Sequence, residues 1–196
     1  MTIDKICKRY GIKNYTINDD GTIDVNENVT FFNRGLTELP LVFNKVNGDF
    51  ICSRNKLSTL KGCPRWVGGY FTCSGNGLTS LEFSPDYVNE EFVCNSNDLT
   101  DLVGSPKQVG GGFVCFSNPN LITIKGCPEK IGKIFNCSHT PIGSIFNNVD
   151  RNFLHAFNFY KIIKDDTVNL KRLKYVMDLY DKPIDLDKIE KYYRIV

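Results

Sequence analysis

A chain of 196 residues, 41% of them hydrophobic and 23% charged, is too apolar for a disordered tail and suits one elongated folded domain. The formal charge of +2 is spread evenly, with 4 basic and 4 acidic side chains in residues 1–24, 10 and 10 in 25–149, and 10 and 8 in 150–196. Without a basic stripe to neutralise phosphates, nucleic acid is not expected as the main partner. No apolar run approaches the ~20 residues of a membrane helix, so no membrane partner is expected either.

Residues 1–28 read as an N-terminal helix and hairpin cap. TIDKICKRYG places Ile3, Ile6, Cys7 and Tyr10 on one helical face, and NYTINDDGTIDV alternates polar and apolar residues around the turn pair Asp20-Gly21. The opening MTIDKICKRYG has no apolar signal-peptide core, so a cytoplasmic location with reduced thiols is expected.

Residues 29–149 are dominated by self-similarity. Segments beginning FICSRNKLSTLKGCPRWVGG at Phe50, FTCSGNGLTSLEFSPDYVNE at Phe71, FVCNSNDLTDLVGSPKQVGG at Phe92, FVCFSNPNLITIKGCPEKIG at Phe113 and FNCSHTPIGSI at Phe135 align at intervals of 21, 21, 21 and 22 residues. One extra residue near Pro119 accounts for the longer interval, and Val29, Phe31, Leu36, Leu39, Phe43 and Val46 form an imperfect earlier copy. Phe and Cys alternate inward on a short strand. Asn55, Asn76, Asn97 and Asn118 follow where the chain turns, placed to bond backbone groups that the turn leaves open. The leucine pair after each Asn fills the wedge, Pro64, Pro85, Pro106 and Pro128 fix an extended return, and the glycines at 68–69 and 110–112 permit tight re-entry. Stacked coils then form one parallel sheet over one core.

Beyond residue 149 helical spacing takes over, and residues 150–196 read as a C-terminal helical cap. Phe153, Leu154, Phe157 and Tyr160 form one stripe. Leu170, Leu173, Val176, Met177 and Tyr180 form a second, which Pro183 ends, and Ile189, Tyr192 and Tyr193 suggest a third after Asp185.

The consensus F-x-C-x-x-N-x-L-x-x-L resembles the leucine-rich repeat, with Phe and Cys in place of its first two leucines. The expected fold class is therefore an α+β repeat solenoid, leucine-rich-repeat-like. FTCSGNGLTSL and PRWVGGYF also resemble small uncharacterised repeat proteins of tailed bacteriophages, over residues 1 to about 149. That resemblance implies the fold, a phage origin and a host bacterial cytoplasm, and it implies no activity. Departures are Phe116 in place of Ser, Thr140 in place of the ladder Asn, and EFSP in place of a G-x-P unit.

His139, read as outward on the last strand, and His155, in the first C-terminal helix, have no ligand partners at helical spacing, so no metal and no cofactor are expected. VGGGF lacks the Lys-Ser/Thr of a phosphate loop and recurs with the repeat. The ladder cysteines face apolar core, and Cys63 and Cys127 lie on the return path. An enzyme is not expected.

The outward positions are more informative. One column reads Ile51, Thr72, Val93, Val114, Asn136; another Ser53, Ser74, Asn95, Phe116, Ser138; a third Asp49, Tyr70, Glu91, Gly112, Ile134. Apolar residues on an exposed sheet mark an interaction site, although β-branched residues are also simply good strand formers. The expected binding face comprises Ile51, Tyr70, Thr72, Val93, Asn95, Val114, Phe116, Ile134, Asn136 and His139. The expected function is a non-enzymatic protein–protein interaction module that engages a host protein. The alternatives are a small-ligand sponge or nucleic-acid binder, using the groove beside the C-terminal helices, and a structural virion component.

Overall fold

The computed structural model describes residues 2–145, 152–154, 156, 160–164 and 167–196. The repeat folds into a solenoid of about five turns. A front sheet runs through Val29–Thr30, Phe50–Ile51, Phe71–Thr72, Phe92–Val93, Phe113–Val114 and Phe135–Asn136, all parallel, each residue paired with its counterpart one coil on. Alternation sends Phe50, Phe71, Phe92, Phe113 and Phe135 inward with Cys52, Cys73, Cys94, Cys115 and Cys137, all fully buried. The five rings stack nearly parallel, with centroids 5.7, 5.1, 5.1 and 5.7 Å apart. Each buried ring contributes roughly 1.5–3 kcal/mol of apolar transfer.

The expectation of a single sheet is corrected. The return path also pairs, giving a second parallel sheet through Phe43–Val46, Trp66–Val67, Tyr87–Val88, Gln108–Val109 and Lys130–Ile131. The Pro-x-x-Val segment holds every coil extended at the same height, so neighbouring backbones meet at hydrogen-bonding distance. The Val or Ile of each segment is buried behind it, from Val46 and Val67 to Ile131. Glycine is needed where this strand turns back toward the front. A Cβ on Gly68 or Gly110 would strike the carbonyl oxygen of Asn47 or Asn89 in the preceding coil.

The asparagine column forms the expected ladder. Asn97 donates from Nδ2 to the carbonyls of Cys73 (3.2 Å) and Cys94 (3.0 Å), while its Oδ1 accepts from the backbone N–H of Asn76 (3.1 Å) and Leu78 (3.3 Å). Asn118 repeats the pattern with Cys94, Cys115 and Leu99. The residue immediately before the ladder position of each coil, unremarkable in sequence, is left-handed at the exit corner: in Asn33, Arg54, Gly75, Ser96, Ser117 and His139 φ lies between 53° and 63°. A second left-handed corner uses Gly62, Gly104 and Gly126, but Phe83 in the departing EFSP unit adopts φ 67° while remaining 60% exposed.

At the start, helix Ile3–Tyr10 buries Cys7 and sets the Tyr10 ring edge-on to Phe31 at 5.0 Å. The expected hairpin pairs Tyr15–Ile17 with Ile23–Val25, and Ile23–Val25 continues in parallel onto Phe43–Val46. At the other end, residues 152–154 and 156 are helical, with Phe153, Leu154 and Ala156 buried. Phe157 and His155 lie outside the described residues. Helix Leu170–Leu179 buries Leu173, Val176 and Met177, and helix Leu186–Glu190 starts at Asp185, whose side chain accepts from Lys188 N–H. The all-helical expectation for this segment is corrected by a three-stranded sheet of Ile163–Lys164, Thr167–Val168 and Arg194–Ile195. Tyr193 is buried and its hydroxyl donates to Ile122 O at 2.5 Å, tying this segment to the solenoid, whereas Tyr192 is exposed.

Two stability measurements follow. Asn97→Ala takes the acceptor from the backbone N–H groups of Asn76 and Leu78, at about 1–3 kcal/mol each, so urea unfolding should show a loss of at least about 2 kcal/mol. A loss below about 1 kcal/mol would mean the ladder is incidental. Phe83→Gly relieves a left-handed bulky residue and should raise stability by about 0.5–1 kcal/mol; a lowered unfolding midpoint would show that the ring has a packing role.

Candidate functional site

Because the front strands alternate, every inward Phe or Cys is matched by an outward neighbour, and successive coils set those neighbours in columns. Pairing of Val29–Thr30 with Phe50–Ile51 extends the columns one coil further than the sequence reading, adding Thr30 and Phe32. The central columns then run Thr30, Ile51, Thr72, Val93, Val114, Asn136 and Phe32, Ser53, Ser74, Asn95, Phe116, Ser138, twelve positions without one charged side chain. In a chain that is 23% charged, this is a marked depletion.

Ile51, Thr72, Val93, Asn95, Val114, Phe116 and Asn136 are half-buried by their neighbours, Ser53 is buried, and Phe32 is exposed. The polar members are already engaged with one another. Ser53 Oγ and Thr72 Oγ1 lie 2.7 Å apart, Ser74 Oγ donates to Asn95 Oδ1 at 2.7 Å, and Ser138 Oγ donates to Asn136 Oδ1 at 2.8 Å. Arg54 lies over the Phe32 ring, 5.6 Å from its centroid.

The third column forms one margin. Tyr70 and Ile134 are its exposed members, and Gly112 between Glu91 and Ile134 is buried. Lys133 Nζ reaches Glu91 Oε1 at 3.4 Å. Glu91 Oε2 is shielded from solvent and has no hydrogen-bond partner among the described residues. The Glu91 carboxylate beside it raises the pKa of the Tyr70 hydroxyl. His139, read as outward on the last strand, stands beyond strand Phe135–Asn136 at the left-handed corner, exposed. The strand ends at Asn136, three residues before His139, because the corner is set by backbone pairing from coil to coil.

A second outward column was missed. On the return sheet Trp66 stacks on Tyr87 (6.1 Å, 8° between planes), and Lys45 Nζ sits 4.6 Å from the Trp66 centroid. The signal was present in PRWV and PDYV, which place aromatics at one repeat position, but it has meaning only once the return strands are known to pair. Beside them Asp86 accepts from Arg65 at 3.1 Å and lies 3.9 Å from Lys107.

All eight cysteines are free thiols. Burial raises the pKa of Cys63, Cys73, Cys94, Cys115 and Cys137, and pushes that of half-buried Cys127 up to about 12. The thiolate needed for nucleophilic work is therefore disfavoured at these positions. A raised folded-state pKa contributes stability that is complete below the ordinary thiol value of about 9 and is lost as pH rises above it. Unfolding free energy measured in urea should be flat from pH 7 to 8. Above pH ~9 it should fall by more than about 1.4 kcal/mol per pH unit, the slope of one proton. A flat profile to pH 10 would place the thiols in contact with water.

No model of a known family, no curated protein and no solved structure matches the chain, so its site is read from its own geometry.

Proposed function

We propose that the chain is a non-enzymatic protein-interaction module, a leucine-rich-repeat-like solenoid with its terminal segments acting as caps, that engages a folded protein through its front sheet. The observation that carries this reading is the twelve-position uncharged surface on an otherwise charged chain. Protein–protein interface cores are depleted in charged residues and enriched in aromatics, with polar margins. Here Phe32 and Phe116 lie within the uncharged columns, Tyr70 and Ile134 flank them, and Asp49, Glu91, Arg54 and His139 border them.

The face is also held in place before a partner arrives. Its hydroxyls and amides bond to each other, and its backbone is fixed by two-sided pairing, so little ordering entropy remains to be lost on binding. The shielded oxygen of Glu91 has no donor among the described residues, and a partner side chain or backbone N–H at that margin would supply one. The resemblance of FTCSGNGLTSL and PRWVGGYF to phage repeat proteins makes a host protein the partner to seek.

Affinity capture from the native host, followed by titration of the captured protein, tests the assignment. Two double variants are compared, Val93→Glu with Phe116→Asp on half-buried positions and Tyr70→Asp with Ile134→Asp on exposed ones. Each should weaken binding by about 100-fold, or some 2.7 kcal/mol, with the thermal midpoint of the exposed pair unchanged. Lys130→Glu on the return sheet should leave binding intact. If both double variants retain the partner at full affinity, the front sheet is not the binding face.

A further inference from the structure

A cavity of 490 Å³ lies where the last complete coil meets the C-terminal segment, within the ~300–1,000 Å³ usual for small-molecule sites. Lys125 of the coil and Lys161, Lys164 and Arg172 of the segment line it, and no acidic side chain lines it among the described residues. None of these four cations forms an ion pair among the described residues, whose ion pairs involve Arg65, Lys107, Lys133 and Lys188. Like charges gathered round a hollow repel one another, and an anion placed between them removes that repulsion.

The wall is built rather than merely populated. Arg172 Nη1 donates to the carbonyls of Tyr160 (3.3 Å) and Lys161 (3.4 Å), and the Arg172 backbone N–H is held by Asn169 Oδ1 at 3.0 Å. Among the described residues nothing engages Nε and Nη2, the donors suited to a forked contact with a phosphate. Lys161 is itself held at φ 47°, in the left-handed region that a lysine rarely occupies. Arg172 and Asn169 also line an adjoining hollow whose other walls include Tyr160 and Tyr175. The two rings meet edge to face at 5.2 Å, and Tyr175 remains 53% exposed, so a ring face is available for stacking.

We propose that this paired cleft binds a nucleoside polyphosphate, its phosphates among Lys125, Lys161, Lys164 and Arg172 and its base against Tyr175. The four cations match the multiple charges of a phosphoanhydride, and the aromatic hollow beside them matches a planar base. This site is separate from the front sheet, and loss of one would leave the other standing.

Isothermal titration of the full chain at low salt with ADP, pyrophosphate, adenosine and a short single-stranded RNA provides the test. ADP should saturate one site, pyrophosphate should bind more weakly and adenosine weakest. Lys125→Ala with Lys164→Ala, both exposed and with ammonium groups that make no hydrogen bond to the described residues, should weaken ADP by at least about tenfold without moving the thermal midpoint. Tyr175→Ala should weaken ADP and leave pyrophosphate unchanged. The proposal is overturned by any of three results: no saturation with ADP, equal affinity of the lysine variant, or RNA binding tighter than ADP through the same lysines. Equal loss of ADP and pyrophosphate in Tyr175→Ala would remove the base from the assignment.

Discussion

The front strands are only two residues long, so ordinary sheet pairing closes few hydrogen bonds per coil and leaves the exit corner exposed to loss. What holds the coils together there is a joint device of a left-handed residue and the asparagine after it. The left-handed residue keeps its N–H aimed at the next coil: Arg54 to Ser74 O at 2.8 Å, Gly75 to Asn95 O at 3.1 Å, Ser96 to Phe116 O at 3.1 Å and Ser117 to Ser138 O at 3.0 Å. The asparagine then bonds carbonyls of its own coil and the preceding one, and receives backbone N–H groups from the preceding coil. A left-handed backbone costs about 1–2 kcal/mol at a non-glycine residue, and the hydrogen bonds it permits offset that strain. The end of the solenoid supports this account. Thr140 replaces the asparagine, and its shorter hydroxyl reaches only Cys137 O (2.6 Å) and Gly143 N (2.9 Å), both close in sequence. With its hydroxyl reaching no other coil among the described residues, the chain enters the short 3-10 helix Ile142–Ser144 and departs from the repeat.

Once inward columns and corners are fixed by this device, the outward positions are free to vary in composition. They have been filled differently on the two sheets. The front columns are uncharged and mutually hydrogen-bonded, whereas the return sheet alternates aromatics with ion pairs around Asp86. If the outward positions only reflected strand propensity, both sheets would favour the same β-branched and aromatic residues. The difference between them is the one that the proposed partner on the front sheet would require.

Legibility in the sequence followed the physics of each feature. Phe92, Cys94 and Asn97 were readable because each has one inward role repeated at a fixed interval, and Asp20-Gly21 because that turn has a local signature. The left-handed corner was not, since Asn33, Arg54, Ser96, Ser117 and His139 share a backbone state and no side-chain type. The return sheet was not legible because Trp66, Tyr87, Gln108 and Lys130 share no side-chain type, and only backbone pairing sets them in one column. Strands such as Thr167–Val168 and Arg194–Ile195 are too short to show a period of two. The front face could be anticipated from alternation, while the cationic cleft could not: Lys125 and Arg172 stand 47 positions apart and meet only through the fold.

The two candidate sites make opposite demands on rigidity, and the chain supplies each where it is needed. A broad protein-binding face gains affinity when its shape is settled in advance, because each side chain frozen on contact costs about 0.5–1.5 kcal/mol. Stacked Phe rings and the asparagine ladder settle it here, directly behind Val93, Val114 and Phe116. A small anionic ligand instead needs a few cations held close together without a counter-ion, which destabilises the protein alone. Such strain is better tolerated where it is not part of the repeat. The cleft accordingly sits at the junction, anchored by Tyr193 to Ile122 and by Arg172 to two backbone carbonyls, while among the described residues the stacked core behind the front sheet holds no charged side chain.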